Sequence, residues 1–331
     1  MGTRTITYAA AINETLRKEM EKDETVFLMG EDIGPLGGLF GVTKGLHERF
    51  GSDRVLETPI SESGYVGAAV GAAMLGMKPI VELQFMDWCT VAMDAIVNSA
   101  AKTIYVHDGQ VSLHLVIRAP YGAVVGAGLG CHHSQSFESF FTHVPGLKVA
   151  MPTTPYDAAG LLRTSIQDGN PILFLEHKVL YSTKGEIPEE EYLVPFGRAA
   201  VRREGSDATI VGTGLMVHKA LAAANQLQGD GISCEVIDLR TLLPWDKDLV
   251  KSSVKKTGRL VIVHEAWKIG GFGGEVGATV AEEATDYLRG PIVRVGCKFA
   301  PIPFSPPLEK FIIPNEADIV AAVKRTSRKA S

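Results

Sequence analysis

The chain alternates between short apolar runs and longer stretches in which apolar residues recur at helical spacing. The short runs predict buried strands, and the longer stretches predict amphipathic helices. Such alternation is typical of α/β proteins built around parallel sheets. In the first half the pattern predicts strands at 26–29, 79–83, 113–117, 148–150 and 172–175, with helices at 7–22, 63–75, 91–105 and 155–167.

The pattern stops at 182–195, where Lys, Glu and Pro occur without periodicity, and this segment is predicted to be a linker. Beyond it the alternation restarts and ends in a Pro-rich stretch and a terminal helix. We therefore expect two parallel-sheet domains, 1–181 and 196–331, each large enough for its own core. The second has predicted strands at 209–211, 234–237, 260–263 and 292–295 and predicted helices at 216–227, 247–256, 274–287 and 315–325.

Composition narrows the class of protein. Of 331 residues, 45% are hydrophobic and 21% are charged, which indicates a folded globular chain and not a disordered one. The net charge of −5 leaves no basic stripe for a phosphate backbone, so no nucleic-acid partner is expected. The most apolar stretch, 64–77, is shorter than the roughly 18–20 residues of a membrane span.

The four cysteines are widely separated and contain no CxxC pair, which argues against a zinc site or a disulfide framework. The first residues have neither an apolar signal core nor an Arg-rich transit character. These features predict reduced thiols and a cytoplasmic location in a prokaryote.

Two glycine-rich segments imitate cofactor loops. Gly229-Asp230-Gly231 precedes a predicted strand instead of following one, so a helix-to-strand turn is favoured over a magnesium diphosphate loop. Gly270-Gly271-Phe272-Gly273-Gly274 stands between a strand and a helix, as a dinucleotide loop does, but position 276 is Val where that motif needs a third glycine. Close packing of the loop on the sheet is the favoured interpretation.

Two segments carry candidate chemistry. Glu62 follows Ser61 at the start of a predicted helix, where a helix cap and a dipole-stabilising carboxylate would explain both residues without catalysis. His132 and His133 follow a glycine-rich stretch, 122–130, that could enter a cleft. Histidine suits proton transfer near neutral pH, although a loop histidine is more often only a hydrogen-bonding group.

Taken together, the segments resemble the beta subunit of the thiamine-diphosphate-dependent 2-oxoacid dehydrogenases, the decarboxylating components. This family includes pyruvate, branched-chain and acetoin-cleaving members. The resemblance runs through nearly the whole chain. It is carried by MGEDIG, FGVTKGL, RVLETPISESGYVGAAVGAA, PIVELQF, NSAAK, HHSQS, FFTHVPGLKV, EVIDLRTLLPWD and TGRLVIVHEA.

The resemblance implies a transketolase-like pyrimidine-binding domain followed by a transketolase C-terminal-like domain. It implies that Glu62 hydrogen-bonds the aminopyrimidine ring of thiamine diphosphate, that Ile60 packs on that ring and that Gln84 and Trp88 line the pocket. Trp88 stands where the family has Tyr or Phe, which excludes a hydroxyl role there. His133 would orient or protonate the substrate-derived intermediate or assist transfer to the lipoyl group.

Partners follow from the same resemblance. An alpha subunit would hold the magnesium diphosphate in an α2β2 heterotetramer, and the C-terminal domain would dock the lipoyl acyltransferase core. A structural potassium ion near Leu115, Asp168 and Asn170 is a further implication. The substrate stays open between branched-chain 2-oxoacids, pyruvate and acetoin. The alternatives from other classes are a nicotinamide oxidoreductase using the Gly270 loop and a non-catalytic scaffold for the acyltransferase core.

Overall fold

The computed structural model describes residues 2–327, which form two compact units. The first unit ends at Phe196 and leaves out Gly122–Ser139. The second unit combines that segment with the chain from Gly197 onward. The domains predicted from the sequence had 122–139 in the first domain. The local sequence pattern does not show which sheet a glycine-rich loop packs against.

The first unit alternates strands and helices along the chain. Its elements are β1 (Thr3–Thr7), α1 (Tyr8–Lys22), β2 (Val26–Gly30), α2 (Leu46–Phe50), β3 (Val55–Glu57), α3 (Glu62–Met74), β4 (Lys78–Glu82), α4 (Ala101–Val106), β5 (Leu115–Tyr121), α5 (Glu138–Thr142), β6 (Lys148–Ala150), α6 (Pro155–Gln167), β7 (Pro171–His177) and β8 (Lys184–Pro188). The short helix α5 begins within the segment that belongs to the second unit.

Six of the described strands of this unit lie side by side in the order β6-β7-β5-β4-β2-β3, and each neighbouring pair is parallel. Strands β2, β5 and β7 are buried along their whole length, which explains why their apolar runs are continuous and not alternating. The α/β class with parallel sheets is therefore confirmed.

The segment expected to be a linker is partly regular. Strand β8 lies inside 182–195 and pairs antiparallel with β1, so that Thr3 stands opposite Pro188. A two-stranded ribbon of exposed, mixed residues has no apolar alternation, which is why the sequence pattern missed both strands.

Local signals set the helix ends well where a cap is present. Helix α6 begins after Thr154, whose hydroxyl accepts the Asp157 N–H, and Pro155 occupies its first turn. The helix predicted at 91–105 is different: π-helical turns cover Ala95–Ala100 and only α4 continues as a regular helix. Turns of this type are uncommon and have no sequence signature that distinguishes them from an α-helix.

The second unit repeats the alternation on a smaller scale. Its elements are β9 (Ala200–Arg203), β10 (Ala208–Gly212), α7 (Leu215–Gly229), β11 (Cys234–Asp238), β12 (Thr241–Leu243), α8 (Lys247–Thr257), β13 (Leu260–Trp267), α9 (Gly273–Glu283), β14 (Val293–Cys297), α10 (Pro306–Ile312) and α11 (Glu316–Thr326).

Its sheet has the order β14-β13-β10-β11-β9. The sequence predicted a purely parallel sheet, but β9 runs antiparallel to β11 and closes one edge. Side chains from α7, α11 and the central strands form one apolar core, and Ile210, Val236 and Val261 are completely buried in it. Among residues 2–327 no helix is long and apolar enough to cross a membrane.

The two glycine-rich segments take the structural roles that were favoured for them. Gly229 ends α7 and Gly231 turns the chain toward β11 with a positive φ of 76°. In the other segment, a Cβ at Gly271 or Gly273 would lie 2.4 or 2.7 Å from the ring of His264. This loop therefore packs its backbone directly on a buried side chain, which explains the glycines without a dinucleotide.

Candidate active site

Three neighbouring strands of the first unit bring the candidate residues to one edge of its sheet. Strand β2 pairs with β3 on one side and with β4 on the other, all in parallel. The segments that follow these strands therefore emerge at the same carboxyl edge, where open α/β sheets bind ligands. Glu31 and Asp32 follow β2, Thr58–Glu62 follows β3, and Gln84 and Trp88 follow β4.

Glu62 occupies the first position of α3 and is buried to 6% exposure. The positive end of the helix dipole favours a carboxylate at this position. The expected Ser61 cap is absent, because no hydrogen bond joins the Ser61 side chain to the first turn. The simple capping explanation for this segment is thus weakened, while the carboxylate stays buried.

Glu31 and Tyr65 face Glu62. Burial, followed by the charge of Glu62, raises the pKa of the Glu31 carboxyl above its ordinary value. Burial and the same two carboxylates raise the pKa of Tyr65. Glu31 was not among the residues predicted from the sequence, although its place directly after an apolar strand was a usable signal.

Three buried oxygens in the segments at this edge and in the first turn of α3 have no hydrogen-bond partner among the described residues: Glu31 Oε1, Thr58 Oγ1 and Tyr65 Oη. Buried polar atoms are normally paired, so these three fit a site that receives a polar ligand. Ile60 is 83% exposed two residues before Glu62. An apolar side chain next to a buried carboxylate and unpaired oxygens suits a flat ring that is polar at its edge.

Gln84 and Trp88 extend this edge. The Gln84 side-chain amide donates to Asp32 Oδ2 at 2.5 Å, and Asp32 itself has a positive φ of 57°. Trp88 lies in a 3₁₀ turn, Met86–Thr90, and its ring meets that of Phe85 edge-on at 6.1 Å. The structure thus brings Glu62, Ile60, Gln84 and Trp88 to segments at one sheet edge.

Strands β4, β5 and β7 carry a buried network of ion pairs that was not predicted from the sequence. Arg118 on β5 donates through Nε and Nη2 to the two oxygens of Glu176 on β7, each at 2.7 Å, and through Nη1 to Glu82 on β4. Burial raises the pKa of Glu82 and Arg118 opposes that rise. A charged residue inside each of three apolar runs was the signal for this network.

His133 belongs to the second unit. It lies in the Gly122–Ser139 segment, is partly buried, and its Nδ1 is 3.2 Å from the carbonyl oxygen of Leu129. Because a carbonyl only accepts, Nδ1 carries the proton in this contact, which in the neutral ring leaves Nε2 as the basic nitrogen. His132 is exposed.

Two of the three residues predicted to hold potassium, Asp168 and Asn170, are hydrogen-bonded to each other, and Asp168 also pairs with a lysine. Asp168 Oδ1 accepts the Asn170 side-chain amide at 2.7 Å, and Asp168 Oδ2 accepts from Lys148. Burial raises the pKa of Asp168, but Lys148 and Asn170 outweigh it and hold the pKa below its ordinary value. In residues 2–327 no group of three or more His, Cys, Asp or Glu side chains could hold a metal ion. The potassium site stays a prediction.

Comparison with known families assigns the two units of this α/β protein to a class of thiamine enzymes. The transketolase pyrimidine-binding domain family matches residues 4–184, and the transketolase C-terminal domain family matches 197–319. A solved structure described as a split-gene transketolase, an inactive beta4 tetramer, has a TM-score of 0.79 over 97% of this chain and 98% of that chain. At 24% identity it shows the fold alone.

Curated relatives narrow the family. The pyruvate dehydrogenase E1 component subunit beta of Rickettsia felis is 47% identical over 97% of this chain and 98% of that protein. The acetoin:2,6-dichlorophenolindophenol oxidoreductase subunit beta of Cupriavidus necator is 47% identical over 98% of each, and the 2-oxoisovalerate dehydrogenase subunit beta of Bacillus subtilis is 44% identical over 96% of this chain and 98% of that protein. The chain belongs to the beta subunits of 2-oxoacid dehydrogenase E1 components, a family that depends on thiamine diphosphate.

Proposed function

We propose that this chain supplies the pyrimidine half of a thiamine-diphosphate site that decarboxylates a 2-oxoacid, either pyruvate or a branched-chain one. The observation that carries the proposal is Glu62, buried at the first turn of α3 beside the unpaired oxygens of Glu31 and Thr58. Thiamine diphosphate supplies the electron sink that lets the bond next to a ketone carbon break. The chain's own residues bind, orient and move protons.

Each predicted residue has a role in this proposal. Glu62 hydrogen-bonds a ring nitrogen of the aminopyrimidine and keeps that ring in a proton-accepting form. Ile60 supports the ring face, while Gln84 and Trp88 form the pocket wall. His133, through Nε2, gives or takes a proton at the substrate-derived oxygen. Burial, and then the charge of Glu62, raises the pKa of Glu31, so the two carboxylates are electrostatically coupled at this edge.

The remaining parts of the site belong to partners. "Subunit beta" in the relatives' names implies an alpha partner and assembly into a larger complex. We propose that the alpha subunit holds the magnesium diphosphate in an α2β2 heterotetramer in a prokaryotic cytoplasm. The C-terminal domain, 196–331, docks the acyltransferase core, whose lipoyl group takes the acyl product.

The test is turnover by this chain co-expressed with its alpha partner, with and without thiamine diphosphate, on pyruvate, 3-methyl-2-oxobutanoate and acetoin. Wild type should show cofactor-dependent decarboxylation with lipoyl reduction. Glu62→Gln should lower turnover by about 10²–10⁴-fold, the usual contribution of a positioned proton-transfer group. Glu48→Gln, on the exposed face of α2, is the matched control and should keep wild-type turnover. Full activity of Glu62→Gln, or activity of this chain alone, would contradict the shared site.

Acetoin cleavage is the second candidate function. It is favoured by the relative from Cupriavidus necator that is named for acetoin, which matches this chain at the same 47% identity as the Rickettsia felis relative named for pyruvate. The substrate panel decides between them, because turnover of acetoin without turnover of either 2-oxoacid would assign the cleavage reaction. The Glu62→Gln variant does not discriminate, since both reactions need the same activated cofactor.

The potassium proposal is tested separately. If the ion binds near Leu115, Asp168 and Asn170, replacing potassium by a tetramethylammonium salt at equal ionic strength should lower the thermal unfolding temperature. Asp168→Asn should remove that potassium dependence. An unfolding temperature that is unchanged on potassium removal argues against the site.

A further inference from the structure

The segment that carries His133, Gly122–Ser139, is rich in glycine, and its backbone therefore has much conformational freedom. Between Gly122 and Gly130 four glycines adopt positive φ values, which glycine tolerates at the cost of large conformational freedom when unfolded. Inside the segment, the Ala127 N–H donates to the Val124 carbonyl at 2.9 Å. Side chains from elsewhere in the second unit contact it as well.

One anchor is a carboxylate at the end of β13. Glu265 is 6% exposed, and its Oε1 accepts the backbone N–H of Ala123 at 2.6 Å. A hydrogen bond to an ionised acceptor is shorter and stronger than one between neutral groups. Glu265 thus fixes the beginning of the segment.

A second anchor is a carboxylate on α10. Glu309 is 1% exposed, and its Oε2 accepts the backbone N–H of Gly126 at 2.8 Å. Its Oε1 has no hydrogen-bond partner within the described part of the chain. Among the described residues, the buried Glu309 carboxylate thus accepts one hydrogen bond, and its donor belongs to the glycine-rich segment.

The ring of Phe304 closes the other side of the segment. A Cβ at Gly128 would stand 3.1 Å from the ring, and one at Gly130 would stand 3.2 Å from it. Further along, the Phe137 ring lies 6.0 Å from that of Trp267. Two carboxylates thus accept N–H groups of the segment. The Phe304 ring packs against two of its glycines, and Trp267 lies against its Phe137.

We propose that Glu265 and Glu309 are positioning residues for the reaction, which hold the His133 segment in place by accepting the N–H groups of Ala123 and Gly126. The functional part of this inference rests on the role proposed above for His133. The anchoring itself does not, because it is a property of the second unit alone.

The energetics of Glu309 separate positioning from ordinary stability. A buried carboxylate with one partner loses hydration that one hydrogen bond does not replace, and Glu309→Leu removes this cost. The Gly126 N–H then loses its acceptor, but Gly126 is exposed and water can take the acceptor's place. A purely structural role predicts that Glu309→Leu weakens the fold. Positioning predicts a fold that is as stable as wild type with a loosened segment.

The test uses the αβ holoenzyme with Glu309→Leu, Glu309→Gln and, as matched control, Glu282→Leu on the exposed face of α9. Amide hydrogen exchange is followed in peptides covering 122–139. We expect exchange at least about tenfold faster in Glu309→Leu, because loss of a charged acceptor favours local opening. The kcat should fall about tenfold with KM for the 2-oxoacid changed less than about twofold, since misplacing a reacting group costs rate and not binding.

Glu309→Gln keeps an oxygen that can accept the Gly126 N–H, so it should restore both slow exchange and most of kcat. Glu282→Leu should match wild type in both. Wild-type exchange in Glu309→Leu overturns the proposal, and so does Glu309→Gln exchanging as fast as Glu309→Leu. His133→Ala distinguishes the proposed proton-transfer role of His133 from the anchoring of its segment. Full activity of this variant would contradict the role of His133, while the exchange data still test whether Glu309 anchors the segment.

Discussion

Both units bury glutamates, but they surround them differently. In the first unit Glu82 and Glu176 are buried on either side of Arg118, and the charges are paired on three adjacent strands. In the second unit burial raises the pKa of Glu138 to about 7, against a backbone hydrogen bond that lowers it and with a smaller contribution from the charge of Glu265. In the first unit ion pairs link the side chains of three adjacent strands. In the second unit Glu138 can gain or lose a proton near neutral pH.

The largest effect should come from breaking the paired network. Arg118→Met leaves two carboxylates buried with no arginine between them, which should lower the free energy of unfolding by about 3–5 kcal/mol. Chemical denaturation of the purified protein measures this. Lys251→Met, which removes surface ion pairs with Asp248 and Glu283, should lower the free energy of unfolding far less, because water screens exposed charges. Equal losses in the two variants would mean that the buried network contributes no more than a surface ion pair.

The second effect depends on pH. Between its ordinary pKa of 4.5 and about 7, Glu138 keeps a proton in the folded protein that the unfolded chain has released. Stability contributed by this group therefore falls as pH rises through that window and is lowest above it, a change of about 3 kcal/mol. Glu138→Gln cannot ionise, so its unfolding free energy relative to wild type should be lowest near about pH 4, below both pKa values, and should rise to its highest near about pH 8.

Denaturation of both proteins at the two pH values checks this prediction. A difference between wild type and Glu138→Gln that is the same at both would show that Glu138 does not change its charge in the folded state across this range.

The smallest effect should come from removing one hydrogen bond at the periphery of the ion-pair network of Arg118, Glu82 and Glu176. The Tyr181 hydroxyl donates to Glu176 Oε2 at 2.8 Å, and Glu176 keeps Arg118 when the hydroxyl is removed. Tyr181→Phe should therefore cost about 1 kcal/mol, the usual contribution of one buried hydrogen bond. Tyr105→Phe, at an 86% exposed tyrosine, is the control and should change nothing measurable. A loss as large as that of Arg118→Met would mean that the hydroxyl, and not the arginine, holds the network.

Much of the fold was predictable because its signals are local. Helix α6 and strand β6 have the bounds that the pattern predicts, since a threonine cap, a proline in the first turn and a short apolar run act within a few residues. Glu62 at the start of a helix was predictable for the same reason. Strands β1, β8 and β9 were not, because an exposed edge strand is defined by its pairing and not by its own alternation.

The sequence by itself determined the α/β class, the order of the main elements, and, through ordered motifs that resemble one family, the cofactor and the candidate residues Glu62 and His133. Only the tertiary structure decided that Glu31 faces Glu62, that Arg118 pairs with Glu82 and Glu176, and that the His133 segment belongs with the second unit. The physical reason is that burial and electrostatic contact depend on residues far apart in the chain, whereas helix caps and apolar periodicity are properties of a few consecutive residues.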